Sequence, residues 1–160
     1  VDIARVADRI LETAHLIAAS GAHVLLLSGA NPSRHIPLGA VFQRRGDRLD
    51  EAVRERAREA GMTFVDNWAD RELADIRYWS RDKLHLNAAG HARVAGSVLS
   101  ALQVRIPDAA TDGPSQIARQ PTAEYWREYV LPWIGRRLTG RSSGDGRTPK
   151  IAVLTPVDRP

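Results

Sequence analysis

One local pattern occurs twice in the chain: a stretch with helical apolar spacing, then a glycine, then a short apolar run. The first helical stretch covers residues 2–20 and leads into the run His23–Ser28. The second covers Asp47–Ala60 and leads into Met62–Asp66. Short continuous apolar runs that alternate with amphipathic helices are typical of buried parallel strands. The pattern therefore predicts an α/β fold with a parallel sheet and helices on both faces.

Turn and cap residues place the ends of these predicted elements. Gly21 and Gly61 follow the two helical stretches and are expected to end them. Asn87 precedes a third helical stretch, Ala88–Leu102, and is expected to cap its first turn. The segment between the second strand and this helix is predicted to be a loop, with one helical turn near Arg71–Ile76. The inward-facing positions of the third helix are predicted to be Val94, Val98, Leu99 and Leu102.

Length and composition exclude several classes of protein. With 160 residues, of which 43% are hydrophobic and 26% charged, the chain is long enough for one domain with a core. No apolar run approaches the roughly 18 residues that a membrane span requires, so no transmembrane segment is expected. The chain has no cysteine, which excludes disulfides and thiolate catalysis and leaves the cellular compartment open.

The C-terminal part differs in character from the rest. We predict a division into an α/β part, residues 1–104, and a basic extension containing proline and glycine, residues 105–160. The whole net charge of +4 lies in residues 119–160. The extension holds one amphipathic helix, Thr122–Leu138, which Pro132 is expected to kink or interrupt. The stretch of residues 141–150 is predicted to be a flexible linker.

The stretch of residues 79–91 carries the clearest chemical signal, with Asp82 and His85 three positions apart. A histidine that acts as a general base needs an acceptor on its second ring nitrogen, which selects the tautomer and stabilises the imidazolium. An Asp-x-x-His turn supplies that acceptor from the same short segment. Without the surrounding sequence, a helix cap next to a packed histidine would be the favoured explanation of the two residues.

The whole stretch Asp82-x-x-His85-Leu-Asn-x-x-Gly-His91 resembles the last conserved block of the SGNH (GDSL-type) esterases and lipases. The preceding helix and strand series is similar as well, and Trp79 and the tail resemble one bacterial subgroup. The resemblance implies the C-terminal part of a three-layer α/β/α, flavodoxin-like fold whose N-terminal strands are missing. It implies a carboxylic ester hydrolase with a small ester substrate and no cofactor. In that family, Asp82 and His85 correspond to the acid and base of a Ser-His-Asp triad.

Other elements of the family's site are not in this sequence. The family's nucleophile lies in a Gly-Asp-Ser segment, and no such segment occurs here. The nearest match to its oxyanion asparagine block is Gly29-Ala30-Asn31-Pro32, which makes Asn31 a weak candidate. Ser28, Ser33 and Ser80 are weak candidates for a substitute nucleophile. We therefore expect that the first strands and the nucleophile, about 100 residues, are absent and that this chain alone is inactive.

The remaining predictions concern other histidines and partners. His91 is expected to be structural and to bond within the core beneath the site. His15, His23 and His35 show no metal-ligand spacing, so no metal site is expected. No nucleic-acid partner is expected, and self-association through an exposed sheet edge is predicted. The alternative function is a non-catalytic basic module that binds anionic partners through the 119–160 tail.

Overall fold

The computed structural model describes residues 2–104, 122–140, 146 and 148. The chain forms two compact units, Val1–Ala118 and Arg119–Pro160, which are described separately. Residues 105–121 lie outside the described ranges, so the predicted boundary after residue 104 stays a prediction. The predicted linker at residues 141–150 also lies outside them, apart from two of its residues.

The first unit has the element order that the sequence predicts, which confirms the α/β fold. Its elements are α1 (Ile3–Ala18), β1 (Leu25–Leu27), α2 (Gly39–Glu59), β2 (Thr63–Val65), a 3-10 turn (Ile76–Tyr78) and α3 (Ala88–Ala101). Both predicted glycine stops are confirmed, because Gly21 has φ 87° and Gly61 has φ 65°. Glycine has no Cβ and so adopts this left-handed conformation at little cost, as helix ends often require.

The two strands form a parallel pair, with Leu26 in register with Phe64. Both side chains pack against a buried cluster of Ala7 and Leu11 from α1 and Val53 from α2. The core therefore forms where the two helices cross the short sheet, through burial of apolar surface. The predicted self-association through a sheet edge stays a prediction.

Helix α2 begins eight positions earlier than predicted, at Gly39 rather than Asp47. The predicted start, Asp47, directly follows Gly46, and glycine is a poor helix former. In the structure Gly46 is an interior helix residue, and a Cβ placed on it would lie 1.9 Å from Cζ2 of Trp68. The indole of Trp68 thus occupies the space that any larger residue would fill. Long-range packing, which the local pattern does not reveal, overrides the helix propensity at this position.

Burial in the sheet and in α3 is lower than predicted. Leu27 of β1 is 45% exposed, although the sequence predicts a fully buried strand. In α3, only Gly90 is buried. The predicted inward-facing residues Val94, Val98 and Leu99 are half-buried, and Leu102 is exposed. Parallel strands are buried on both faces only where helices cover both faces, and the described residues cover Leu27 incompletely.

The second unit contains the predicted helical stretch. It runs as α4 (Thr122–Tyr125), a π-helical turn (Trp126–Val130) and α5 (Leu131–Leu138). The predicted interruption near Pro132 takes the form of that π turn, in which the N–H of Leu131 bonds to the carbonyl of Trp126. Proline lacks an N–H and collides with the preceding helical turn, and a wider turn relieves the collision. The alternative role of this tail as a basic binding module stays a prediction.

We predict that Gly46→Ala lowers the free energy of unfolding by about 1–3 kcal/mol, because the new methyl group collides with Trp68. Urea denaturation at constant pH measures the change. In a Trp68→Ala background the collision is gone, and Gly46→Ala should then raise stability by up to about 1 kcal/mol through helix propensity. Equal effects of Gly46→Ala in the two backgrounds would contradict the packing explanation.

Candidate active site

Asp82 and His85 form a hydrogen-bonded pair, as the sequence predicts. Nδ1 of His85 lies 2.5 Å from Oδ2 of Asp82. The other carboxylate oxygen, Oδ1, accepts the backbone N–H groups of Leu84 and His85, both at 3.0 Å. One carboxylate therefore orients the imidazole and holds the turn that carries it. With Nδ1–H directed at the carboxylate, Nε2 is the nitrogen that is left to accept a proton.

The environment of the pair favours an ionised carboxylate beside an accessible imidazole. Burial disfavours the charged form of Asp82, whose side chain is 24% exposed. Hydrogen bonds from the His85 side chain and from two backbone N–H groups outweigh that burial and lower the pKa of Asp82. The His85 side chain is 73% exposed. A substrate or a nucleophile can thus reach the imidazole from solvent.

The pair lies in a compact loop whose ends meet. Trp79 and Leu86 form an antiparallel bridge, and the N–H of Ser80 donates to the carbonyl of His85 at 2.7 Å. Within the loop, the N–H of Lys83 donates to the carbonyl of Ser80 at 2.9 Å, and Lys83 has φ 57°. This left-handed residue allows the chain to reverse between Asp82 and His85. The separation of three positions between Asp82 and His85 is therefore the one that a tight turn requires.

Trp79 anchors this loop in the interior. Its side chain is fully buried, and its Nε1 donates to the carbonyl of Leu73 at 2.7 Å. The ring of His35 packs against it with centroids 5.5 Å apart. Burial lowers the pKa of His35, so the neutral imidazole is favoured there. The predicted helical turn near residues 71–76 is instead the 3-10 turn Ile76–Tyr78, which leads directly into Trp79.

Helix α3 supports the loop from its other end. Asn87 caps the helix as predicted, since its side-chain oxygen accepts the N–H of Gly90 at 3.0 Å. Gly90 is buried, and a Cβ placed on it would lie 2.4 Å from the carbonyl oxygen of Tyr78. Glycine thus lets the helix approach the segment that precedes the loop. Arg93, one turn further, binds both carboxylate oxygens of Asp70 at 2.7 and 2.8 Å.

The weaker candidates from the sequence, among them Asn31, Ser33 and Ser80, do not form side-chain hydrogen bonds with the Asp82–His85 pair. Asn31 donates to the side chain of Gln43 at 2.9 Å and accepts the N–H of Ser33. The hydroxyl of Ser33 donates to Gln43, and that of Ser80 donates to the carbonyl of Leu86. None of these polar groups is hydrogen-bonded to His85 within the described ranges. Asn31 is accordingly a loop residue whose hydrogen bonds connect its turn to Gln43 of α2.

The prediction for His91 is wrong in one respect. The residue is exposed on α3, so it does not bond within the core beneath the site. Its position in the second turn of the helix follows from the cap at Asn87, whose carbonyl accepts the N–H of His91 at 2.9 Å. That helix buries only Gly90, one residue earlier, whereas His91 is exposed to solvent.

A polar cluster that the sequence analysis missed lies at the carboxyl ends of the two strands. Arg54 of α2 binds Asp50 one turn earlier and lies 3.1 Å from Asp66, which directly follows β2. Ser28, directly after β1, accepts the N–H of Trp68 at 2.9 Å and lies 3.5 Å from Asp66. The only sequence signal is the pair of polar residues that end the two apolar runs. The sequence does not single out Asp50 or Arg54, because both lie on a helix with many charged residues.

Asp50 is an unusual member of this cluster, since it is 5% exposed. Burial and the nearby charge of Asp66 outweigh the attraction of Arg54 and raise the pKa of Asp50. Ionisation of the Asp50 carboxyl therefore destabilises the folded protein. Among the described residues, no group of three or more His, Asp or Glu side chains is arranged to hold a metal ion.

A family model described as the GDSL-like Lipase/Acylhydrolase family matches residues 2–93, more than half of the chain. The match includes α1, both strands, α2, the loop with Asp82 and His85, and the start of α3. No curated protein and no solved structure matches the chain significantly. Within the described part of the chain, no helix has the length and apolar character needed to cross a membrane.

We predict that Asp50→Asn raises the free energy of unfolding at neutral pH by a few tenths to about 1 kcal/mol. Because the folded-state pKa of Asp50 is raised, ionisation of this carboxyl lowers the free energy of unfolding. That loss of stability is absent at pH values below the unfolded-state pKa and complete at pH values above the folded-state pKa. The advantage of asparagine should therefore grow as the pH rises through that window and vanish in more acidic solution. Urea denaturation across the acidic range and at neutral pH measures it.

The matched control is Glu51→Gln, because Glu51 contacts the same Arg54 at 2.7 Å from an exposed position. This variant should change stability little at any pH, as is usual for exposed ion pairs. A loss of stability in Asp50→Asn at neutral pH would show that the Arg54 contact outweighs burial.

Proposed function

Because the chain belongs to the GDSL-like lipase/acylhydrolase family, we propose that Asp82 and His85 are the acid and base of a serine carboxylic ester hydrolase. The observation that carries the proposal is the 2.5 Å hydrogen bond between their side chains, within the matched segment. The chemistry that this pair supports is proton transfer at an exposed imidazole held by a carboxylate.

The roles of the two residues follow from their hydrogen bonds. Nε2 of His85 takes the proton of the serine hydroxyl as that oxygen attacks the ester carbonyl. It then gives the proton to the leaving alcohol, and a water molecule hydrolyses the acyl-enzyme in the same way. Asp82 stays ionised throughout, holds Nδ1–H and stabilises the imidazolium. The lowered pKa of Asp82 supports this role, since the carboxylate is charged at neutral pH.

The serine and the oxyanion donors are not identified in this sequence. It contains no Gly-Asp-Ser segment, and the hydroxyls of Ser28, Ser33 and Ser80 are engaged elsewhere. Asn31, the weak oxyanion candidate, has its amide N–H on Gln43. The proposal therefore gives these 160 residues the base and its acidic partner, without a nucleophile of their own.

We predict that the purified 160-residue chain hydrolyses activated esters, such as p-nitrophenyl acetate, at the rate of free imidazole in buffer. Loss of a triad serine alone lowers turnover by about 10⁶, and the residual rate depends on an oxyanion hole. The measurement is ester hydrolysis together with labelling by a fluorophosphonate. A stoichiometric burst of product, or covalent labelling of a serine, would contradict the assignment.

A second test uses a chain extended at its N-terminus with a family nucleophile block, which can be active. There, His85→Ala should lower turnover about as much as loss of the serine, roughly 10⁶-fold, because the two residues act as a unit. Asp82→Asn should cost about 10⁴-fold, since the imidazole then adopts the wrong tautomer. The control is His91→Ala, which should leave turnover within a few-fold. Loss of turnover in His91→Ala but not in His85→Ala would overturn the proposal.

A further inference from the structure

Asn87 contacts both sides of the loop that carries Asp82 and His85. Its side-chain nitrogen donates to the carbonyl of Arg77 at 2.7 Å and to that of Trp79 at 3.3 Å. Its backbone N–H donates to the carbonyl of Tyr78 at 2.9 Å. Three successive carbonyls before the loop thus accept hydrogen bonds from one residue directly after it.

The requirements at this position are more specific than those of a helix cap. A cap needs only a side-chain acceptor, which serine, threonine and aspartate provide as well as asparagine. The contacts to Arg77 and Trp79 need two N–H donors in addition. Among the usual cap residues, only asparagine offers an acceptor and two donors on one short side chain. The donors explain why this cap is an asparagine.

The pair needs such support because little else fixes the imidazole. His85 is 73% exposed, and its described side-chain hydrogen bond is the one to Asp82. The position of the ring therefore depends on the backbone of the loop, residues 80–86. The two ends of that loop are held together by the Trp79–Leu86 bridge, by the hydrogen bonds of Ser80 to the carbonyls of His85 and Leu86, and by Asn87.

We propose that Asn87 is a positioning residue for the Asp82–His85 pair, acting by joining the backbone before the loop to the first turn of α3. Its effect on turnover rests on the proposed function, but its effect on the geometry of the pair does not. A displacement of about 1 Å in a catalytic group can cost about 100-fold in rate. In an active extended chain, Asn87→Ser should thus lower kcat about 100-fold and leave KM nearly unchanged.

The decisive experiment separates the cap from the two donors in the 160-residue chain itself. Asn87→Ser and Asn87→Thr keep an acceptor for the cap and remove both amide N–H donors, leaving a single hydroxyl and no added charge, whereas Asn87→Ala removes the acceptor as well as the donors. The readouts are the ¹³C-detected titration of the Asp82 carboxyl and the low-field proton resonance of His85 Nδ1–H. All three variants should raise the pKa of Asp82 towards its ordinary value and weaken or broaden that proton signal. Having two cap-preserving variants keeps the test valid if one of them fails to fold.

Two controls distinguish positioning from general loss of stability. Asp2→Ala removes the cap of α1, where Asp2 accepts the N–H of Arg5, and should lower the melting temperature by about 4 °C. It should leave the Asp82 titration unchanged. Asp70, held by Arg93, serves as an internal reference, because its lowered pKa should stay the same in all Asn87 variants.

The outcomes separate the inference from the proposed function. An unchanged Asp82 titration and an unchanged His85 proton in both cap-preserving variants would overturn the role of Asn87 and leave the catalytic assignment intact. A wild-type protein that lacks the His85 proton signal and has an ordinary Asp82 pKa would overturn the pairing itself. The proposed function would then fail, and the role of Asn87 with it.

Discussion

The packing of α1 and α2 against a very short parallel pair is the interaction on which the rest of the first unit depends. Two strands of three residues each do not form a stable sheet by themselves. Ala7, Leu11 and Val53 bury apolar surface against Leu26 and Phe64, and this burial holds the strands in register. That register places the residues that directly follow the two strands, Ser28 and Asp66.

The register brings together the polar groups at the carboxyl ends of the strands, where parallel sheets commonly carry their sites. Ser28 and Asp66 meet there, and Arg54 reaches Asp66 from α2. Here, however, the cluster contains a charge that the fold disfavours, at Asp50. The chemically favourable pair, Asp82 and His85, lies on a separate loop. Its carboxylate is stabilised by local hydrogen bonds instead of being penalised by burial.

The two sites differ in how far the sequence predicts them. Asp82, His85 and the cap Asn87 lie within six positions of one another, so their contacts arise within a single turn and helix start. Local spacing predicts such contacts well. The hydrogen bonds from Asn87 to Arg77 and Trp79 span only a few more residues. They depend, however, on the path of the backbone between these residues, which sequence spacing does not specify. Arg54 joins Asp50 on the same helix to Asp66 at a strand end, and no local pattern reveals that arrangement.

The sequence alone determined the order of helices and strands, the glycine stops, the extent of the helical run Thr122–Leu138 and the pairing of Asp82 with His85. Each of these follows from interactions between residues close in the chain: periodic apolar faces, left-handed glycines and hydrogen bonds across one turn. The tertiary structure alone decided that Gly46 lies within a helix, that Leu27 and His91 are exposed and that Asp50 is buried. These features depend on which distant surface lies opposite a residue, such as the indole of Trp68, and that is a property of packing.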